Sequence, residues 1–141
     1  LGFLKSRITK ERRFEMKTVG YLEGTHALYL TRLVAKGIDT LPLSNGADNH
    51  GKYVGLLSKS DNISLVVGYL HKVIPTAEHG IAPKDMLYSC RLHKIPVMLI
   101  VPSELQADAK KILKEAADDV MLVDPKDVDV WEETMKILGY T

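Results

Sequence analysis

The chain has a single cysteine, Cys90, in 141 residues. That excludes an intrachain disulfide and a thiolate zinc cluster, and it points to a reducing cytosol. No apolar run approaches the roughly 20 residues of a membrane-spanning helix. The opening stretch, LGFLKSRITKERRF, lacks the apolar core of a signal peptide. A membrane is therefore not an expected partner. Aromatic residues make up only 6%. Tyr29, Tyr53, Tyr69 and Tyr88 are scattered, without the paired aromatics of an RNA-stacking platform, and no nucleic-acid partner is expected. GYLEG is not a G-x-G-x-x-G turn, and there is no Walker A loop, so the dinucleotide and ATP readings lose their main support. There is no G-x-S-x-G elbow for a nucleophilic serine, no internal repeat and no low-complexity tract.

What is present is ordinary for a globular domain: 45% hydrophobic and 26% charged residues, with a net charge of +1. The length suits one domain that buries its own core. The charge is unevenly spread. Residues 1–15 hold Lys5, Arg7, Lys10, Arg12 and Arg13 against Glu11 and Glu15, leaving a slightly acidic remainder. This basic arm reads as a nucleic-acid or membrane tail, or as a start assigned too far upstream. KERR can be encoded by a purine-rich ribosome-binding sequence, and Met16 stands directly before the first strand. We take the second reading and place one domain at 16–141.

Along that domain, apolar segments alternate in character. KTVGYLEG (17–24) reads as a buried strand. THALYLTRLVAKG (25–37) follows as a helix, with Ala27, Leu28, Leu30, Leu33 and Val34 on one face, Thr25 as N-cap and Gly37 as stop. IDTLPLSNG (38–46) is a second strand, put at a sheet edge by Pro42. NHGKYVGLLSKSD (49–61) is a short helix weakened by Gly51 and Gly55. NISLVVGYL (62–70) and IPVMLIVP (95–102) are continuous apolar runs, as expected of strands covered on both faces. PKDMLYSCRLHK (83–94) is a helix opened by proline, with Met86, Leu87, Cys90 and Leu92 apolar. SELQADAKKILKEAAD (103–118) is a helix capped by Ser103, DVMLVDP (119–125) a fifth strand, and KDVDVWEETMKILG (126–139) a last helix closed by Gly139.

Strict alternation of strand and helix predicts an α/β fold: a three-layer, doubly wound, five-stranded parallel sheet. The edge-like second strand favours the flavodoxin-like order 2-1-3-4-5, with strands 3 and 4 central.

In such a sheet ligands bind at the carboxyl ends of the strands, where the winding reverses between strands 1 and 3. The loops there are EGTH (23–26) and the long segment from His71 to Ala82, with SNGADNH (44–50) alongside and PSE (102–104) beyond. Most such connections span about 2–6 residues, so the third loop is longer than a connector needs to be. It is placed to cover the crevice; Val73, Ile74 and Ile81 also suit burial against a neighbouring subunit. The candidate ligand-binding residues are Glu23, Gly24, Thr25, His26, Asn45, His71, Glu78 and His79, with Gly46 and Asn49 beside them. The backbone N–H groups and hydroxyl of GTHA suit an anion. Three loop histidines with Glu23 or Glu78 would suit zinc if they converged, but no H-x-x-x-H pair fixes two ligands on one helix face. No metal and no cofactor are assigned. DNHG has the look of the D-x-H-x-x-G of cobalamin-binding domains but follows strand 2 rather than strand 1, with its glycine misplaced. Cys90, at an apolar helix position, reads as a structural thiol.

Over residues 17–139 the alternation resembles flavodoxin-like (Rossmann-like) domains. ALYLTRLVAKG and LVVGYLHK resemble a small single-domain archaeal family of unknown function from methanogens, without that family's proline-rich loop after strand 1. SKSDNISLVVGYL and IPVMLIVP are similar to nucleoside 2-deoxyribosyltransferases in layout. Neither Glu78 nor Glu104 sits in a motif matching the catalytic glutamate that this likeness would imply. The resemblances imply a fold and lend no catalytic residue.

The leading expectation is a cytosolic domain that binds an anionic, phosphate- or nucleotide-like small molecule at the ends of strands 1 and 3 and works as a homo-oligomer. One alternative is an enzyme on a nucleoside- or sugar-phosphate-like substrate, with a histidine or Glu78 as general acid or base. The other is a receiver-like interaction module without ligand, its acidic cluster after strand 1 reduced to Glu23.

Overall fold

Continuous apolar runs become the inner strands of a parallel sheet. The structure, a computed structural model, describes residues 17–74 and 81–140. The strands are β1 (Thr18–Leu22), β2 (Asp39–Ser44), β3 (Lys52–Tyr53), β4 (Leu65–Tyr69), β5 (Val97–Ile100) and β6 (Val120–Val123). The helices are α1 (Ala27–Ala35), α2 (Pro83–Met86), α3 (Tyr88–Leu92), α4 (Gln106–Leu113) and α5 (Asp127–Leu138). All neighbouring strands are parallel, in the order β3-β2-β1-β4-β5-β6.

Side-chain alternation along each strand feeds two cores. Val19, Leu65, Val67, Met98 and Ile100 point to one face, where they meet Tyr29 and Leu33 of α1 and Val130, Met135 and Leu138 of α5. Leu22, Val66, Val97 and Leu99 point to the other, against Val54, Met86, Cys90, Ala109 and Leu113. Helices thus cover both faces, which is why β4 and β5 have no polar residue in their runs. Burying each such Val or Leu contributes about 1.5–3 kcal/mol. Gly68 lets β4 lie close under Leu22, whose Cδ1 is 2.8 Å from where a Cβ would stand.

The predicted five-stranded sheet of order 2-1-3-4-5 is corrected to six strands. The added strand, β3, pairs Lys52 and Tyr53 with Leu43 and Ser44 on the outer side of β2, so β2 is not an edge and the middle pair is β1 and β4. The expected helix over 49–61 is absent. Gly51, at φ +95°, runs so close to the backbone of Pro42 that any Cβ would strike the Pro42 carbonyl. This sends the chain out extended beside β2. Two 3-10 turns follow, Val54–Leu56 and Lys59–Asp61, and Lys52 Nζ ties the strand to Asp61 at 2.6 Å. That hydrogen bond from Lys52 and those from Ser58 hold the Asp61 carboxyl below its ordinary range.

Other boundaries differ for local reasons. The helix expected over 83–94 divides at Leu87 into α2 and α3. The helix expected over 103–118 is helical only over Gln106–Leu113, because Lys114 takes φ +53° and a 3-10 stretch follows. Ser103 bonds to Asp124 and caps nothing. In α1 the buried stripe is Tyr29 and Leu33, whereas Leu28 (67% exposed) and Val34 (60%) lie outside it. Residues 1–15, with the basic arm and the reading of an early start, lie outside the described residues.

One polar contact crosses the α1–α5 core. Thr134 Oγ1 donates to the Val130 carbonyl at 2.7 Å. Its single proton is then committed, so in the 2.8 Å contact between the two hydroxyls Tyr29 Oη is the donor. Thr134→Val should therefore cost about 1–3 kcal/mol by stranding the buried phenol, and Tyr29→Phe only about 0.5–1.5 kcal/mol. Urea unfolding of both variants and the double variant checks this, the double losing less than the sum of the singles.

Candidate functional site

Between β1 and α1 the chain turns through Glu23–His26, with Gly24 at φ +88° making the reversal. Thr25 was the expected N-cap, but its Oγ1 donates back to the Leu22 carbonyl at 2.7 Å. His26 takes the capping position instead, its Nδ1 accepting from the Leu28 N–H at 3.2 Å. A neutral ring that accepts at Nδ1 carries its proton on Nε2, so His26 has one N–H left to donate.

Beside this turn, between α1 and α5, lies a cavity of about 250 Å³. Its polar side chains, Thr25, His26, Thr31 and Arg32, all come from α1 and its entry turn. Its apolar wall comes from the carboxyl ends of β4 and β5 (Tyr69 and Ile100) and from Pro125 and Val130. Leu28 and Tyr29 complete it. The Arg32 guanidinium lies over the Trp131 ring at 4.1 Å from its centroid, and Trp131 meets Tyr29 edge-on at 6.3 Å. Asp124 accepts from Ser103 N and Oγ and from Lys126 N, which fixes the turn that carries Pro125. Those bonds, Ser103's first, hold the Asp124 carboxyl below its ordinary range.

A second polar cluster joins the loops after β1, β2 and β4. Lys72 Nζ stands 3.7 Å from Glu23 Oε1 and 3.9 Å from Asp48 Oδ2. Both distances exceed hydrogen-bonding range, and Asp48 Oδ2 is buried with no hydrogen-bond partner among the described residues. Asn45 Nδ2 donates to the Lys72 carbonyl at 3.0 Å, and Ser44 Oγ to that of Asp48 at 2.7 Å. The charge of Lys72 is matched here by two carboxylates, which makes this cluster a poor receptor for a further anion.

The expected site residues therefore divide. Thr25 and His26 line the cavity and Gly24 shapes its entrance. Glu23 and Asn45 belong to the Lys72 cluster. His71 is exposed and stacks on Tyr69, centroids 6.1 Å apart and planes 20° apart. Glu78 and His79 lie outside the described residues. Val73 is fully buried and Ile74 and Ile81 pack against the same core, so these three side chains face their own chain. The sequence reading missed Arg32, Tyr69 and Lys72. The signal for Arg32 was its spacing from Leu28 and Tyr29, four and three residues along one helix. Among the described residues no group of three or more His, Cys, Asp or Glu side chains could hold a metal ion. No helix there is long and apolar enough to cross a membrane. No protein-family model matches the chain, and no curated protein matches it either.

Proposed function

We propose that this domain binds an anionic small molecule at the carboxyl end of its sheet, in the cavity between α1 and α5. The observation that carries the reading is the cavity's two-sided lining. Hydroxyl, imidazole and guanidinium groups stand along α1, facing an apolar wall of Tyr69, Ile100, Pro125 and Val130. Few convergent polar groups over an apolar pocket are the usual make-up of a small-molecule site. The position also suits a flavodoxin-like domain, whose ligands sit outside the carboxyl ends of the strands. The Lys72 cluster favours the same choice of place, because two carboxylates, at 3.7 and 3.9 Å, already offset the charge of its cation.

The test is an amide NMR titration with inorganic phosphate, ribose 5-phosphate, adenosine monophosphate and benzoate. At least one should give saturable shifts centred on residues 25–32, Tyr69 and Val130. Saturable shifts centred on Asn45, Asp48 and Lys72, or none with any anion, would reject the reading.

A further inference from the structure

We infer that the α1–α5 cavity takes a single-ring organic acid, one cyclic apolar body bearing one carboxylate, rather than a nucleotide or sugar phosphate. This rests on the binding reading above and narrows it.

Size is the first argument. About 250 Å³ falls below the roughly 300–1,000 Å³ of pockets that enclose drug-sized ligands. A base, a sugar and a phosphate together exceed what this cavity encloses, whereas one ring and a short acid arm do not. The walls give the second argument. Tyr29 contributes only its ring, since its hydroxyl is bonded to Thr134 inside the core. Tyr69 adds an aromatic ring to the lining, near-parallel to the His71 ring with centroids 6.1 Å apart. Ile100, Pro125 and Val130 add no side-chain hydrogen-bonding group. On that side the Tyr69 phenol is the one side-chain group able to hydrogen-bond a nucleobase edge or a sugar hydroxyl.

The polar side gives the third. Thr25 has its proton committed to Leu22, His26 offers one N–H, and Thr31 adds one hydroxyl. The Arg32 Cζ lies over the Trp131 ring at 4.1 Å from its centroid, and its planar guanidinium carries five N–H donors in a fixed fork. A single guanidinium edge matches the two oxygens of one carboxylate. A phosphate dianion, with three oxygens and nearly twice the charge, is less fully matched by one guanidinium, and Lys72 stands 3.7 Å from Glu23 and 3.9 Å from Asp48.

The experiment titrates the whole chain with benzoate and phenylacetate, with benzyl alcohol as the uncharged match, and with ribose 5-phosphate and adenosine monophosphate. Amide NMR locates each site and calorimetry gives affinities. Both acids should saturate the cavity residues and bind about tenfold or more tighter than benzyl alcohol, the worth of one charge-assisted contact. Arg32→Met keeps an apolar stem against Trp131. It should remove that advantage and leave benzyl alcohol unchanged. Arg32 is exposed, so the fold should survive the change, and Lys110→Met, which removes an exposed cation from α4 outside the cavity lining, is the second variant and should leave the carboxylate preference in place. Acid binding indifferent to Arg32→Met overturns the inference. So does preference for either phosphate ester at the cavity, although binding of an anion there would leave the broader reading standing. No shift at the cavity with any probe overturns both.

Discussion

Raising the pH from 9 to 12 should strip several kcal/mol from this fold. Burial pushes the Cys90 thiol from 9.0 up to about 12. Burial also pushes the Tyr29 phenol from 10.0 up to about 12, against a smaller opposing effect of its bond to Thr134. Both groups stay neutral in the folded chain and ionise earlier in the unfolded one. The unfolded state then binds fewer protons, so stability falls as pH rises. The contribution of Cys90 is complete below pH 9 and gone above about 12, a loss of about 4 kcal/mol. That of Tyr29 is complete below pH 10 and worth about 3 kcal/mol over the same upper range. Against a typical total of about 5–15 kcal/mol, the two together should bring on alkaline unfolding. Urea titrations at pH 8, 10 and 11.5 read the effect. Cys90→Ala and Tyr29→Phe should each flatten the fall of stability with pH, whatever each costs at pH 8. A variant with the same slope as the parent would show that its group is not held neutral by the fold.

Leu99→Ala should be the most damaging of the simple core truncations on the α2–α4 face. Leu99 is 0% exposed, pairs in register with Gly68 and Leu122, and shares a core with Leu22, Cys90 and Leu113. Strands on both sides and helices above leave little that can collapse into the space. The cost should be about 2–5 kcal/mol, the sum of lost burial and residual cavity. Denaturant unfolding should show a lower midpoint with an unchanged slope. Leu92→Ala, at a position 58% exposed, is the control and should stay within about 0.5 kcal/mol. Equal losses at the two positions would mean that the β5 face relaxes freely around the deletion.

The inner strands were legible because burial on both faces leaves no other reading of LVV or VMLI. The second strand was legible as well, but its neighbour was not. Lys52 and Tyr53 carry no strand pattern of their own, and what makes them pair is Gly51 pressed against Pro42, a contact between residues nine apart that periodicity cannot express. Thr25 looked like the cap because its type favours that place. His26 took it because Thr25 found a carbonyl at Leu22. The site region was placed at the strand ends by topology alone. Its cation was missed because Arg32 sits on an exposed helix turn, where an arginine usually means only solvent. Trp131, which holds it, lies on the last helix.

The polar wall of the cavity comes from near the start of the described chain and the last part of its apolar wall, Pro125 and Val130, from near its end, and the bond that joins α1 to α5 spans 105 residues. During synthesis, a chain that has completed β1, α1 and β4 holds the polar wall and Tyr69 but has no Pro125 or Val130 to face them. On the proposed reading, affinity for a ligand would arise only when α5 docks, after every strand has been made. An occupant of the cavity would act as a clasp on that last step, favouring the docked helix by RT ln(1 + [L]/Kd). Protection of the α5 amides from hydrogen exchange would rise with ligand concentration while the central strands, already at the global limit, would gain only what the whole fold gains.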